Sequence, residues 1–179
     1  MPRYIAFLRA INVGGRTVKM EPLRDLFAGL GFSGVETFIA SGNVIFDSKS
    51  TDAAALEKRI AKRLESALGY AVAVFLRTDA ELAAIAAYRP FNQSALKAAT
   101  ALNIAFLAGP LSAGAQEALM NLKTAIDDFH VHGREVYWLC RKKQSESTFS
   151  NAVFERITKG QATFRSASTV AKIAAKYPP

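Results

Sequence analysis

Three separate loops of the sequence combine cationic side chains with glycines, amides or hydroxyls, which is the chemistry that binds anions. The first loop begins at Arg9 and ends at Lys19, with Asn12, Gly14 and Gly15 between them. Glycines allow backbone N–H groups to approach a ligand closely, and the flanking cations would neutralise its charge. The pattern is neither a dinucleotide-binding fingerprint nor a P-loop, so a simple strand-to-helix turn is the alternative interpretation.

The second loop, Ser41-Gly42-Asn43, has the composition of a hairpin turn. A functional interpretation instead places its polar side chains beside the first loop. In either case the chain reverses direction here, between two predicted strands.

The third loop is the most suggestive of the three. A run of three cations, Arg141-Lys142-Lys143, leads into hydroxyls and amides at the start of a predicted helix. Helix N-termini attract anions, and similar chemistry recurs at the start of the last predicted helix. The alternative is two ordinary N-caps beside a solvated basic run. The candidate ligand-binding residues of the second and third loops are Ser41, Gly42, Asn43, Arg141, Ser147, Ser150, Arg165 and Thr169.

Other residues that could carry chemistry form no recognisable catalytic or metal-binding set. Asp128, His130 and His132 alternate along a predicted strand and share one face, but a metal needs three or four converging ligands and no further partner is recognisable. Cys140, the single cysteine, lies in a strand-like run and is interpreted as a core residue. No metal site is predicted, and the catalytic residues, the cofactor and the question of enzymatic activity stay open.

The charge of the chain indicates the kind of partner it attracts. The net charge is +8, and the segment from Arg134 onward carries nine Lys or Arg and three Asp or Glu, so the positive charge is concentrated near the C-terminus. Such a field attracts nucleic acid, nucleotides or other phosphorylated molecules. The apolar runs are too short to span a bilayer, and a lone cysteine suits a reducing compartment. We therefore expect a cytoplasmic protein with no membrane partner and with an oligomeric state left open.

Hydrophobic periodicity predicts two successive series of strands and helices. In the first series, strands and two helices follow the order β-α-β-β-α-β. A capping box at residues 78–81 then predicts a short helix, and residues 91–100 are interpreted as a connector. The second series repeats the order from residue 101, with a hairpin turn at Gly133-Arg134, a helix over 151–158 and a last strand over 162–166. The predicted strands of the first series cover 4–11, 35–39, 44–46 and 72–76.

The repeated order predicts an α+β fold made of two ferredoxin-like (βαββαβ) units. Each unit is expected to form an antiparallel sheet with helices packed on one face. The predicted domains are 1–90, the first unit with its capping helix, and 91–179, the second unit with a C-terminal helix.

Motifs in the first 50 residues also resemble a known family. They are the segments 4–15, 20–32 and 41–46, which resemble the domain-of-unknown-function family DUF1697, and the resemblance extends along the whole chain. Near the C-terminus the family pattern reads Thr-Thr-Arg-Asn-Trp-Asn-Thr-Val. The residues that match it here are Thr163, Arg165, Thr169 and Val170, whereas the other four residues of 163–170 depart from it. The resemblance implies two ferredoxin-like units and brings no established activity, cofactor or catalytic residue.

The leading functional hypothesis joins the three loops in one basic cleft that binds a phosphate-bearing ligand, either a nucleotide or a nucleic acid. A second hypothesis is an enzyme that acts on a phosphorylated small molecule, for which no general base is evident. A third is a protein-interaction module in which the polar loops are purely structural.

Overall fold

The computed structural model describes residues 1–9, 11, 17–39 and 42–179. These residues form two compact units, one made of Met1–Ala86 with Lys172–Pro179 and the other of Ala87–Ala171. The predicted division into domains 1–90 and 91–179 stays a prediction. Among the helices of the described residues, none combines the length and the apolar character needed to cross a membrane.

The first unit contains a four-stranded antiparallel sheet. Its strands are β1 (Arg3–Leu8), β2 (Ser33–Thr37), β3 (Asn43–Asp47) and β4 (Val74–Thr78), in the sheet order β2-β3-β1-β4. Helix α1 (Met20–Ala28) connects β1 to β2, α2 (Ala53–Leu68) connects β3 to β4, and α3 (Asp79–Ala87) follows β4.

One face of this first sheet packs against α1 and α2. Alternate residues of a strand share a face, so Tyr4, Ala6 and Leu8 of β1 join one core with Leu23 of α1 and Ile60 of α2. The opposite face, which includes Ile5 and Phe7, is also buried. Both faces of the sheet are therefore apolar, which explains why β1 is almost continuously hydrophobic in sequence.

The second unit repeats this arrangement. Its strands are β5 (Ala101–Leu107), β6 (Asp127–His132), β7 (Glu135–Cys140) and β8 (Ala162–Ser166), in the antiparallel order β6-β7-β5-β8. Helix α4 (Gln93–Ala98) precedes β5, α5 (Ala113–Met120) connects β5 to β6, and α6 (Asn151–Thr158) connects β7 to β8. Helix α7 (Ala167–Lys176) begins in the second unit and ends in the first.

The core of the second unit lies between one face of its sheet and the helices α5 and α6. Ala105 of β5 and Trp138 of β7 meet Leu119 of α5 and Phe154 of α6 there. Phe149, which follows a 3-10 turn at Gln144–Glu146, packs into the same core. This face of the sheet carries the candidate site described below.

The predicted mixed α+β class with two antiparallel sheets is confirmed, and the ferredoxin-like identity of each unit stays a prediction. The capping box is present, because the Thr78 amide donates to Glu81 Oε2 and the Glu81 amide donates to Thr78 Oγ1. The interpretation of 91–100 as a connector is wrong for its middle part, where α4 forms. That helix is short, has no buried residue and depends on Asn92, whose side chain accepts from the Ala95 amide, so it leaves no hydrophobic period to detect.

Candidate ligand-binding site

A cavity of about 460 Å³ lies against the helix-covered face of the second sheet. Its volume is within the range of small-molecule sites in proteins, about 300 to 1,000 Å³. Three aromatic side chains and five polar ones line it, and none of the eight is acidic, basic or a histidine. The lining residues are Asn103, Trp138, Gln144, Ser145, Phe149, Ser150, Asn151 and Phe164.

Strand pairing brings together the part of the cavity lining that the sheet supplies. Asn103 in β5 is the register partner of Trp138 in β7 and of Ser166 in β8. Because side chains alternate along a strand, Asn103 shares the face of Ala105 and Leu107, and both of these lie in the core. Asn103 is only 7% exposed, so an amide occupies a position where the pattern of the strand expects an apolar side chain.

The aromatic wall is a cluster of rings in edge-on contact. The rings of Trp138 and Phe149 lie 4.8 Å apart at 68°, and those of Trp138 and Phe164 lie 6.0 Å apart at 88°. Edge-to-face contact is the favoured geometry of aromatic pairs, because the ring edge is positive and the ring face negative. Trp138 and Phe149 are buried, whereas Phe164 is partly exposed, so Phe164 offers the most accessible ring of the cavity.

A buried carboxylate fixes one wall of the cavity. Asp127, which is 2% exposed, accepts from Trp138 Nε1 at 2.8 Å and from Ser147 Oγ at 2.7 Å. Ser147 Oγ also accepts from the Phe149 amide at 2.9 Å. Hydrogen bonds to a charged group are stronger than neutral ones, so this arrangement holds the indole ring and the loop before α6 in one orientation.

Two amide atoms of the lining are buried without a partner. Among the described residues, neither Asn103 Nδ2 nor Asn151 Oδ1 has a hydrogen-bond partner, although both atoms are inaccessible to solvent. The other end of the Asn151 amide is used, since its Nδ2 donates to the Ala162 carbonyl at 3.0 Å. An unpaired buried polar group costs about 1–3 kcal/mol, so each of these two lining residues carries such a cost in the ligand-free protein.

The N-terminus of α6 lies at the same cavity. Ser150 is the N-cap and accepts from the Val153 amide, and the Phe154 amide donates to the Ser150 carbonyl. The amides of Asn151 and Ala152, the first two of the helix, have no acceptor within the helix itself. Unpaired N–H groups and the positive end of the helix dipole together favour a negative charge at this position.

The predicted site residues of the second unit occupy different positions around this cavity. Ser150 lines it, and Ser147 supports its wall through Asp127. Arg141 is exposed and donates to the Ala125 carbonyl at 3.0 Å. Thr169 is part of the start of α7, where its amide donates to Ser166 Oγ and its hydroxyl accepts from that same group.

Arg165 lies on the sheet face opposite the cavity. It alternates with Phe164 along β8, and Phe164 lines the cavity. The Arg165 side chain is buried and donates through Nη1 to Thr163 Oγ1 at 2.8 Å and to the Phe164 carbonyl at 2.9 Å. Loss of solvation lowers its pKa to about 10, which leaves the guanidinium charged at neutral pH. A shared site for Arg165 and Ser150 therefore receives no support from the geometry of this sheet.

The predicted site residues of the first unit that the structure describes take part in contacts within the fold. Gly42 has a φ of +84° and its carbonyl accepts from the Leu8 amide. Asn43 is fully buried and donates through Nδ2 to the Phe38 carbonyl at 2.9 Å, which closes the turn between β2 and β3. Lys19 is exposed and is the N-cap of α1. Arg9 is partly buried, and its backbone amide donates to the Ala73 carbonyl. The candidates that lie outside the described residues are Asn12, Gly14, Gly15 and Ser41.

The histidine-bearing strand face is occupied by other side chains. Tyr88 Oη lies 2.8 Å from His130 Nε2, and the Tyr88 ring stacks on His132 with centroids 4.0 Å apart. Asp128 forms an ion pair with Lys123 at 3.0 Å. Cys140 is buried, and burial raises the pKa of its thiol, as expected for a core residue and not for a nucleophile.

The sequence reasoning missed Asn103, Trp138 and Phe164 as site residues. A signal for Asn103 exists, since it is the single amide inside the otherwise apolar run 101–107. Trp138 and Phe164 carry no such signal, because an aromatic residue in a strand is usually a core residue. Their common site depends on the pairing of β5, β7 and β8.

Comparisons with known proteins place the chain in a group without an assigned activity. A family model described as "Protein of unknown function (DUF1697)" matches residues 1–137. The solved structure of the conserved bacterial protein SP0830 from Streptococcus pneumoniae is similar to this chain, with a TM-score of 0.75, 24% identity and 97% of each chain covered. At this identity the similarity shows a shared fold alone. No curated protein matches the chain. The matched segment ends before Trp138, so most of the cavity lining lies beyond it.

Proposed function

Because the chain belongs to the DUF1697 family, as its motifs predict, and that family supplies no activity, we propose from the cavity itself that the protein binds a small phosphate-bearing ligand with a planar ring. The observation that carries the proposal is the unpaired, buried Asn103 amide in an aromatic cavity. A ligand that accepts a hydrogen bond there relieves a cost that the protein alone bears.

The aromatic wall supports a planar ring as one part of the ligand. Trp138 and Phe149 bury their rings in the core, and the partly exposed Phe164 ring lines the same cavity. Stacking of a base on an aromatic side chain contributes about 1–3 kcal/mol and accepts different bases, because each has a π-face.

The start of α6 supports a phosphate as the other part of the ligand. The amides of Asn151 and Ala152 have no acceptor within α6 itself, and Ser150 and Asn151 both line the cavity. The exposed cations Lys142 and Lys143 precede this helix in the same loop. A phosphate at the helix N-terminus would receive backbone hydrogen bonds and a favourable field from these charges.

The lining favours binding over catalysis. It contains no carboxylate, imidazole, thiol or amine, so it offers no general acid or base among the described residues. Asp127 is close in the structure but its two oxygens already accept from Trp138 and Ser147. The enzyme hypothesis therefore has no candidate group in this cavity.

Trp138 allows the proposal to be tested directly, because it is the only tryptophan of the chain and lines the cavity. We expect nucleoside 5′-monophosphates to change its fluorescence in a saturable manner, with matching affinities by isothermal titration calorimetry. The parent nucleosides should bind about 2- to 30-fold more weakly, since a helix N-terminus contributes about 0.3–2 kcal/mol to a bound anion.

Two pairs of variants complete this test. Asn103→Ala should abolish or strongly weaken binding, whereas Asn121→Ala, an exposed asparagine of the same unit, should not. Lys142→Ala should weaken binding of the monophosphates only, and the exposed Lys97→Ala should not. Absence of binding by AMP, GMP, CMP and UMP would refute the proposal. Tight binding of single-stranded oligonucleotides with a steep loss of affinity in salt, together with no mononucleotide binding, would indicate a nucleic-acid site instead.

A further inference from the structure

The two units match each other in strand order, in strand register and at one point in sequence. Their sheets have the corresponding orders β2-β3-β1-β4 and β6-β7-β5-β8. The interior strands β1 and β5 share the tetrapeptide Ile-Ala-Phe-Leu, at 5–8 and at 104–107. They also pair alike, since the alanine of this tetrapeptide lies opposite Val44 of β3 in one unit and Val136 of β7 in the other. Positions in one sheet therefore have counterparts in the other.

The residue before this tetrapeptide differs between the units. It is Tyr4 in β1 and Asn103 in β5, and each lies opposite an aromatic residue, Phe46 of β3 or Trp138 of β7. The Tyr4 ring is 2% exposed and stacks on the Phe46 ring, with centroids 5.6 Å apart at 25°. Among the described residues, the ring neighbours of Trp138 lie at 68° and 88° to it and do not stack. The second unit therefore has no ring at the place that Tyr4 fills in the first.

The place without a ring coincides with the cavity. Asn103 and Trp138 line the cavity together with Phe164. Phe164 of β8 is the counterpart of Leu76 of β4, because both lie opposite the alanine of the shared tetrapeptide. Leu76 belongs to the same core cluster as Tyr4. The part of the lining that the sheet supplies thus corresponds to the side chains around the Tyr4 ring.

The start of the following helix differs in the same sense. The Tyr4 hydroxyl donates to the Ser50 carbonyl at 3.1 Å, in the loop just before the N-cap of α2. That N-cap is Asp52, so the first unit has a carboxylate of its own at the helix start. The N-cap of α6 is the neutral Ser150, which lines the cavity. The second unit therefore lacks both a ring and an anion that the first unit supplies from its own side chains.

The equivalence of the units also limits the size of the ring. In the first unit, one phenol ring with its hydroxyl spans the distance from the strand to the loop before the helix. At the same depth in the second unit, the Asn103 amide occupies part of that distance, which leaves room for one six-membered ring. The cavity widens further out, because its loop is residues 141–150 and the corresponding loop is residues 48–52. Gln144 and Ser145 of the longer loop line this outer part, where a sugar and a phosphate would fit.

We infer that the planar ring of the ligand is a single six-membered ring, as in a pyrimidine nucleotide, and that it takes the place that the Tyr4 ring fills in the first unit. This inference rests on the proposed function and makes it more specific. The ring stacks on Trp138, and the phosphate lies toward the start of α6. The second ring of a purine would press against the Trp138 indole, which Asp127 and the strand pairing hold in position.

The test compares five ligands on the unmodified full chain by isothermal titration calorimetry at a fixed salt concentration. They are CMP, UMP, AMP, GMP and ribose 5-phosphate, which has the sugar and the phosphate but no base. In an open site the purines would bind more tightly, because they bury more apolar surface. A preference for the pyrimidines therefore requires a place of limited size.

We expect CMP and UMP to bind about 5- to 150-fold more tightly than ribose 5-phosphate, as stacking of one base implies. AMP and GMP should bind about 5-fold or more weakly than CMP and UMP, as overpacking implies. Affinity for either purine nucleotide equal to or above that for CMP and UMP would overturn the inference and leave the proposed function intact. Failure of all four nucleotides to bind would overturn the proposed function itself.

A variant examines the place of the ring without a ligand. Asn103→Tyr supplies from β5 the ring that Tyr4 supplies from β1, so it should abolish binding of CMP and UMP while the urea midpoint stays equal or rises. The control, Asn121→Tyr at an exposed position of the same unit, should change neither property. A fall in the urea midpoint of Asn103→Tyr would show that no ring fits at this position, and the inference would be abandoned.

Discussion

Replacing Asn103 with leucine is expected to stabilise the ligand-free protein while it abolishes binding. Asn103 is 7% exposed and its Nδ2 has no partner among the described residues. An unsatisfied buried donor costs about 1–3 kcal/mol, and replacement by an apolar group of similar shape removes that cost. Leucine also suits a strand better than asparagine does.

The size of the effect follows from the space around the side chain. Leucine has the same branched shape and number of side-chain heavy atoms as asparagine, and the adjoining cavity of about 460 Å³ accepts its slightly larger methyl groups without overpacking. The expected gain in the free energy of unfolding is therefore about 1–3 kcal/mol. For a chain of 179 residues this corresponds to a rise in Tm of about 2–4 °C per kcal/mol.

The same substitution at Asn43 provides the matched control. Asn43 is also buried, but its Nδ2 donates to the Phe38 carbonyl at 2.9 Å. Asn43→Leu leaves that carbonyl unpaired and should destabilise the protein by about 1–3 kcal/mol. Urea unfolding followed by circular dichroism measures both variants. A loss of stability above about 1 kcal/mol in Asn103→Leu would show that its amide is already satisfied, and the reasoning about the cavity would fail.

Three further substitutions test other parts of the structure. Gly42→Ala should cost about 3 kcal/mol or more in urea unfolding, because φ is +84° and a Cβ would lie 2.7 Å from a neighbouring side chain. Gly69→Ala, with φ of +80° and open space, should cost about 1–2 kcal/mol, and equal losses would contradict the packing argument. Asp127→Asn should destabilise the protein by about 1.5–3 kcal/mol, because one of the two oxygens that accept hydrogen bonds becomes a donating amide group. The same substitution should shift the tryptophan emission, and an unchanged spectrum would contradict this prediction. The Tyr177 hydroxyl donates a hydrogen bond to the Glu36 carboxylate and so lowers the pKa of that carboxyl. The stability that this bond contributes is present above the ordinary carboxyl pKa and is lost as the pH falls. Between about pH 6 and pH 3, Tyr177→Phe should therefore lose less stability than the unmodified protein does, and identical pH profiles would refute the assignment.

Local sequence signals predicted the elements of the second unit well. The helix predicted over 151–158 is α6, and it ends where Lys159 takes a left-handed conformation before Gly160. The predicted turn at Gly133 has the positive φ, +59°, that such a hairpin requires. These features depend on residues within a few positions of one another. A sequence can therefore specify them without knowledge of the tertiary structure.

The cavity could not be predicted in the same way, because its residues are distant along the chain. Asn103 and Trp138 become neighbours only through the β5–β7 pairing, and Phe164 joins them through β5–β8. The predicted third loop leads to this cavity, since Ser150 and Asn151 line it. Charge alone could not show on which sheet face Arg165 lies, because that depends on the alternation along β8, which directs its side chain away from the face that carries Phe164.

The polar atoms of the cavity are the strongest physical reason to expect a ligand. A core built for stability alone would place an apolar side chain at position 103, as the neighbouring positions of β5 do. The amide instead imposes a cost of about 1–3 kcal/mol on the ligand-free protein, and the unpaired Asn151 oxygen adds a second. Small domains have only about 5–15 kcal/mol of net stability, so two such costs are a large fraction of it. A ligand that accepts a hydrogen bond from the Asn103 amide would recover part of this cost as binding energy, because a ligand without an acceptor leaves the same group unpaired.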